Sequence, residues 1–143
     1  MKKITQAEYD ALPIIDGVRR CPGDTDYSNV VEFGSMPTFG NYAMFGNYAM
    51  FGRWAIFGSV AKFGNYAKFG NYAKFGDDAK FGYGAMFGDG AMFGNNAKFG
   101  DDAMFGDDAM FDNYVTFGSG VKFGSWAKFG NNAKCIGWVK FGE

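Results

Sequence analysis

The chain has 143 residues, a net charge of −1, no histidine, two cysteines and 18 phenylalanines. That length fits one domain, and no apolar run is long enough to cross a bilayer as a helix. Without histidine, the commonest general base and a principal zinc ligand are missing.

The chain opens Met1-Lys2-Lys3-Ile4 and runs into Ala7-Glu8-Tyr9-Asp10 with no apolar core segment, so no secretory signal is expected. Thr5 and Glu8 stand at capping-box spacing, and Pro13 ends any helix begun there. Residues 1–32 are expected to form an N-terminal cap. Ile4, Tyr9, Leu12, Ile14, Ile15, Val18 and Val30 supply its apolar groups, and Arg19 and Arg20 could make it a partner-binding arm.

From Phe33 to Phe129 a phenylalanine recurs every sixth residue; Cys135 takes the next node and Phe141 the one after. Read from its Phe, the hexad is Phe-Gly-x-x-Ala-x. Gly fills the second slot in sixteen of eighteen hexads, the exceptions being Asp112 and Ile136. Such a glycine marks either a positive φ or a close backbone approach. Slots three and four carry corner residues, and slots five, six and one read in, out, in as a short strand. The fifth slot must be small.

These hexads resemble the repeat of left-handed parallel β-helices, with Phe in place of the usual aliphatic residue. The resemblance covers residues 33–143 and implies an all-β solenoid of about six triangular coils, eighteen residues each, roughly 29 Å long. Hexads of this type behind a leader like Ile4 to Val30 also look similar to FG-hexapeptide repeat proteins of bacteriophages and gut bacteria. A pentapeptide solenoid would need a period of five. The acyltransferases of the β-helix fold use a catalytic histidine, and its γ-class carbonic anhydrases bind zinc through three, so neither activity carries over and no enzyme is expected. No metal or cofactor is expected either, since no Asp-rich segment has ligand spacing. Ice binding would need a threonine-rich face, and the sixth slot offers only Thr38 and Thr116.

Charge is banded along the chain. Residues 33–76 carry +4, residues 77–112 carry −6 and residues 113–143 carry +3. The acidic band comprises Asp77, Asp78, Asp89, Asp101, Asp102, Asp107, Asp108 and Asp112 over Lys80 and Lys98. Lys62, Lys80, Lys98 and Lys134 fall on one face, but Asp77, Asp78 and Asp112 dilute its field, so direct nucleic-acid binding is not favoured. Fourth-slot aromatics Tyr42, Tyr48, Trp54, Tyr66 and Tyr72 crowd the first coils and form, with the acids, a candidate partner-binding surface.

The last coil is expected to expose open edges, and a two-fold dimer is expected there through Trp126, Cys135, Ile136, Trp138, Val139 and Phe141. Cys21 and Cys135 lie near opposite ends and are not expected to bridge, which fits a cytoplasm, that of an infected host cell included. Two functional classes follow. One is a phage-type inhibitor that docks a host or defence protein, with a nucleic-acid-handling enzyme as a candidate target through partial DNA mimicry. The other is a structural spacer of a virion or appendage.

Overall fold

The computed structural model describes residues 1–142, so Glu143, counted in the last charge band, lies outside the described residues. The chain winds into a parallel β-helix of about seven turns. Its three walls are sheets of eight, six and eight strands. Most strands are only two residues long, formed by slots six and one, with the first exposed and the second buried. From Val18 onward each rung lies eighteen residues above the last, as in Lys62↔Lys80 and Phe63↔Phe81. We call the walls face A (the Phe39, Phe57, Phe75, Phe93, Phe111, Phe129 ladder), face B (Phe45 to Cys135) and face C (Phe33 to Phe141). Corners AB, BC and CA join them.

The core is aromatic throughout. Between Phe45 and Phe129, rings eighteen apart lie almost parallel with centroids 4.7–5.2 Å apart. From Phe39 to Phe129, rings six apart meet edge to face at 4.9–5.1 Å and 82–89°. Both geometries suit the ring quadrupole, so each Phe is held by its own ladder and by its neighbours. Fifth-slot alanines from Ala43 to Ala109 are fully buried beneath these rings.

The two glycine explanations separate cleanly. Slot two is governed by close approach: a Cβ on Gly70 would lie 2.7 Å from the Gly52 carbonyl carbon and 2.8 Å from the Arg53 nitrogen. Positive φ belongs to slot four, at 58–65° from Tyr42 through Asn132 wherever that slot is not glycine. Slot three is Asn or Asp for a third reason. Its Oδ1 accepts the backbone N–H of the slot-three residue one coil on, as Asn65 does from Tyr83 (2.9 Å) and Asp101 from Ser119 (2.8 Å).

The ladder starts before Phe33. Strands β1 (Lys2–Lys3) and β2 (Ile14–Ile15), with β3 (Val18–Cys21) and β4 (Thr25–Asp26), extend two of the sheets. Cys21 pairs in register with Phe39, and the Tyr27 ring stacks on Phe45 at 5.4 Å. Residues 18–32 therefore form a first coil continuous with the rest, and only the segment before it lies off the grid. That segment contains helix α1 (Gln6–Asp10), with the Thr5–Glu8 capping box formed. Tyr9 plugs the end: its ring meets Phe33 edge-on at 4.9 Å, and its hydroxyl donates to the Phe33 carbonyl at 2.6 Å.

Arg19 is structural rather than a free arm. Its guanidinium lies over the Tyr9 ring and donates to the carbonyls of Tyr9, Asp10 and Leu12 beyond the helix. Ile14 and Ile15, expected in the cap, are exposed. Burial pushes the Cys21 thiol up to about 12, whereas Cys135 is exposed and both cysteines are free.

Phe81→Ala at mid-rod is expected to cost about 3–5 kcal/mol in denaturant unfolding, and Phe141→Ala, half-exposed, clearly less. In native protein, Ellman's reagent is expected to titrate Cys135 alone, with Cys21 reacting only after denaturation.

Candidate functional site

The sequence-selected side chains fall on all three corners. Corner BC carries Tyr48, Tyr66, Asp101 and Asp102. Corner CA carries Trp54, Tyr72, Asp89, Asp107 and Asp108. Corner AB carries Tyr42, Asp77 and Asp78. The acidic band thus encircles the rod, while the aromatics form short vertical stacks below it. Tyr48 lies on Tyr66 at 5.3 Å and 10°, and Trp54 on Tyr72 at 4.5 Å and 15°.

The acids of slots three and four divide their labour, in the three adjacent pairs and at Asp89, which precedes Gly90. The slot-three members Asp77, Asp89, Asp101 and Asp107 accept the amides of Asn95, Asp107, Ser119 and Ser125 at 2.7–2.8 Å. Their residue type is fixed by the coil, and only the second carboxylate oxygen is left to carry charge outward. The slot-four members Asp78, Asp102 and Asp108 sit at φ 58–60°, which Asp tolerates better than most residues. Among the described residues the one ion pair is Lys3–Asp26 (3.6 Å), far from this band. The band's carboxylates therefore keep their field.

The aromatics contrast with those acids. Tyr42, Tyr48, Trp54, Tyr66 and Tyr72 hold φ 60–64°, where an ordinary side chain costs on the order of 1 kcal/mol against glycine. Asn or Asp meets the same backbone demand at Asn96 and Asp102, so the coil does not require rings here. The stacks are finished by glycine: a Cβ on Gly90 would lie 2.6 Å from Tyr72 Cδ1, and one on Gly84 2.9 Å from Tyr66 Cδ1. Each ring thus leans over the corner above it.

Sequence reasoning missed Tyr83. It replaces the Asn or Asp of slot three, meets Tyr66 edge-on at 5.5 Å and donates its hydroxyl to the Asp102 carboxylate. That bond to a neighbouring anion raises the Tyr83 pKa. Corner BC is therefore a continuous ridge, Tyr48–Tyr66–Tyr83–Asp102, in which aromatic and acidic surface meet. Arg53 and Gly137 likewise put in slot three a side chain that cannot accept the next coil's amide, and that chemistry was the recoverable signal.

Two apolar clefts also open on face A, one of about 220 Å³ beside Met36, Trp54, Ile56 and Tyr72 and one of about 210 Å³ beside Met92 and Met110. Lys74 borders both. On the last coil Phe129, Cys135, Ile136, Trp138 and Phe141 are exposed, as is Trp126 one corner earlier, and Val139 is half-buried. No group of three or more His, Cys, Asp or Glu among the described residues is arranged to hold a metal ion. Among the described residues no helix is long and apolar enough to cross a membrane.

No protein-family model, curated protein or solved structure is matched by the chain. Fold and surface together define the class: a Phe-cored parallel β-solenoid repeat protein.

Asp101→Asn keeps the amide acceptor and is expected to leave thermal stability unchanged. Asp101→Leu removes it and is expected to cost about 1 kcal/mol, read by denaturant unfolding with circular dichroism.

Proposed function

We propose that the chain is a non-enzymatic protein-binding solenoid of phage type that docks a host or defence protein in the cytoplasm of an infected cell, without a cofactor. The observation that carries this reading is the corner BC ridge. Two of its rings, Tyr48 and Tyr66, occupy a backbone conformation that disfavours them, although the coil would be satisfied there by Asn, Asp or Gly. Rings placed against local preference and left half-exposed have the composition of contact anchors. The carboxylates of Asp101 and Asp102 beside them, hydrogen-bonded but without an ion-pair partner among the described residues, supply orientation and encounter rate.

A cationic partner surface follows from those charges, and one built to grip phosphates would meet the acids as substitutes for a nucleic-acid backbone. The band is two coils tall, about 10 Å, which suits occupation of one phosphate-binding patch rather than mimicry of a long duplex. A second reading, a spacer in a virion or appendage, is favoured by the rod's regularity and by the exposed rings of its last coil. Fibres under the electron microscope would support the spacer; a discrete particle would not.

Affinity capture from bacterial lysate tests the first reading. Capture of one protein is expected with the parent chain and a loss of at least tenfold with Tyr48→Ala/Tyr66→Ala. A smaller, salt-sensitive loss is expected with Asp101, Asp102, Asp107 and Asp108 all changed to Asn, which preserves the slot-three ladder. Equal capture by parent and both variants would remove the ridge and the acidic band from the mechanism.

A further inference from the structure

Face A has a charge and shape pattern that is its own complement. Along its outward column stand Ile56, Lys74, Met92 and Met110 on successive rungs, and the apolar three are about 40% exposed. The two clefts lie on either side of the Lys74 rung. The lower half of this face is basic and aromatic, with Arg53 and Trp54 on its leading corner and Lys74 at mid-height. On the upper half Asp89, Asp107 and Asp108 occupy the same corner, and Asp112 borders the upper cleft. None of these charged groups has an ion-pair partner among the described residues.

We infer that face A is a self-association surface whose occupant is a second copy of this chain, laid antiparallel across it. A two-fold axis along the strand direction, between the Lys74 and Met92 rungs, reverses the rod while keeping corner CA opposite corner CA. The rungs then match in pairs. Ile56 faces Met110 of the other copy, and Lys74 faces Met92 with Asp89 beside it. Arg53 and Trp54 come opposite Asp107 and Asp108, and Tyr72 comes opposite Gly90, which offers no side chain to obstruct it. An isologous contact of this kind closes on itself and gives a dimer, not a fibre.

The parallel arrangement, with its two-fold along the rod axis, sets Lys74 against Lys74 and turns corner CA to corner AB of the other copy, so Arg53 meets Ser59 and Val60 and Asp107 and Asp108 meet Asn113 and Tyr114 instead of an opposite charge. The end-to-end dimer expected from the sequence meets a related obstacle. The outward residues of the last three strands are Lys128, Lys134 and Lys140, one per face. Joining two such ends would place six ammonium groups on two adjacent rungs, and lysine on an open strand is a common guard against edge pairing. The apolar end is thus fenced by charge, whereas face A carries both signs in matching order.

The face A contact is modest in size. Six rungs by one wall, about 29 Å by 18 Å, is on the order of 500 Å² per copy, at the small end for stable complexes. Micromolar dissociation is expected. It leaves the corner BC ridge outside the joint and shares only Asp107 and Asp108 with the residues of the capture test, so sedimentation tests it without the proposed partner.

Sedimentation equilibrium on the whole chain between 1 and 300 micromolar tests it. The 15.7 kDa chain is expected to double in mass across this range. Ile56→Lys and Met110→Lys each place at slot six a residue that the repeat already carries there at Lys62 and Lys68, so the fold is kept, and each is expected to weaken the dimer at least tenfold. Arg53→Glu is expected to do the same, and Arg53→Glu/Asp108→Arg to restore association. Ile136→Lys on the last coil is the control, with no effect expected. A monomer throughout the range would overturn the inference. So would a dimer lost with Ile136→Lys but kept with Ile56→Lys, or an Arg53→Glu defect that Asp108→Arg leaves uncorrected.

Discussion

Within each wall of the rod a phenylalanine lies flat on the one a coil below, and its centroid spacing of 4.7–5.2 Å is close to the ~4.8 Å that parallel strands require. The coincidence of ring stacking with rung spacing sets the other slots. Coils this close leave no room for a Cβ where Gly70 passes over Gly52. They bring the slot-three oxygen within reach of the next coil's amide. The chain must then turn sharply back to the wall, which forces slot four to positive φ. Three constraints on six positions thus descend from one distance.

The slots that remain free are where chemistry can vary without changing the coil. Slot six points outward on every strand and accepts Lys, Met, Ile or Thr. Slot four accepts anything willing to bear its backbone cost. Rings on the lower corners, acids at mid-height and lysines at slot six of the last coil can therefore be read as choices rather than consequences. The same logic demotes half of the acidic band. Asp77, Asp89, Asp101 and Asp107 would be Asn or Asp in a coil with no partner at all, as Asn41, Asn65 and Asn95 are.

The period, the wall geometry and the Thr5–Glu8 cap were legible because each rests on local spacing. The start of the solenoid was hidden by its second slot. Cys21 is followed by Pro22 and Tyr27 by Ser28, so the Phe-Gly signature is absent although the nodes are in step. In the first coil glycine has moved to slot three as Gly23, and in the last as Gly137, behind Ile136. Tyr83 escaped notice because slot three looked like a tolerant corner until its hydrogen bond was seen. The antiparallel match on face A needed positions eighteen apart to be placed side by side, with their flanking corners known, which a linear reading of charge does not supply.

The early entry of Cys21 and Tyr27 into the ladder has a consequence for how the chain finds one structure. Neighbouring hexads are duplicated, as Phe63-Gly64-Asn65-Tyr66-Ala67-Lys68 is by the six residues after it. A wall could slide by one or three hexads and still stack phenylalanine on phenylalanine, so the interior alone separates correct from slipped windings poorly. The odd nodes act as index marks: Tyr27, whose hydroxyl donates to the Pro22 carbonyl at 2.7 Å, and Tyr9, bound to the Phe33 carbonyl, each fit one phase of winding. The irregular first coil is in that sense the zero of the ruler from which every later rung is counted.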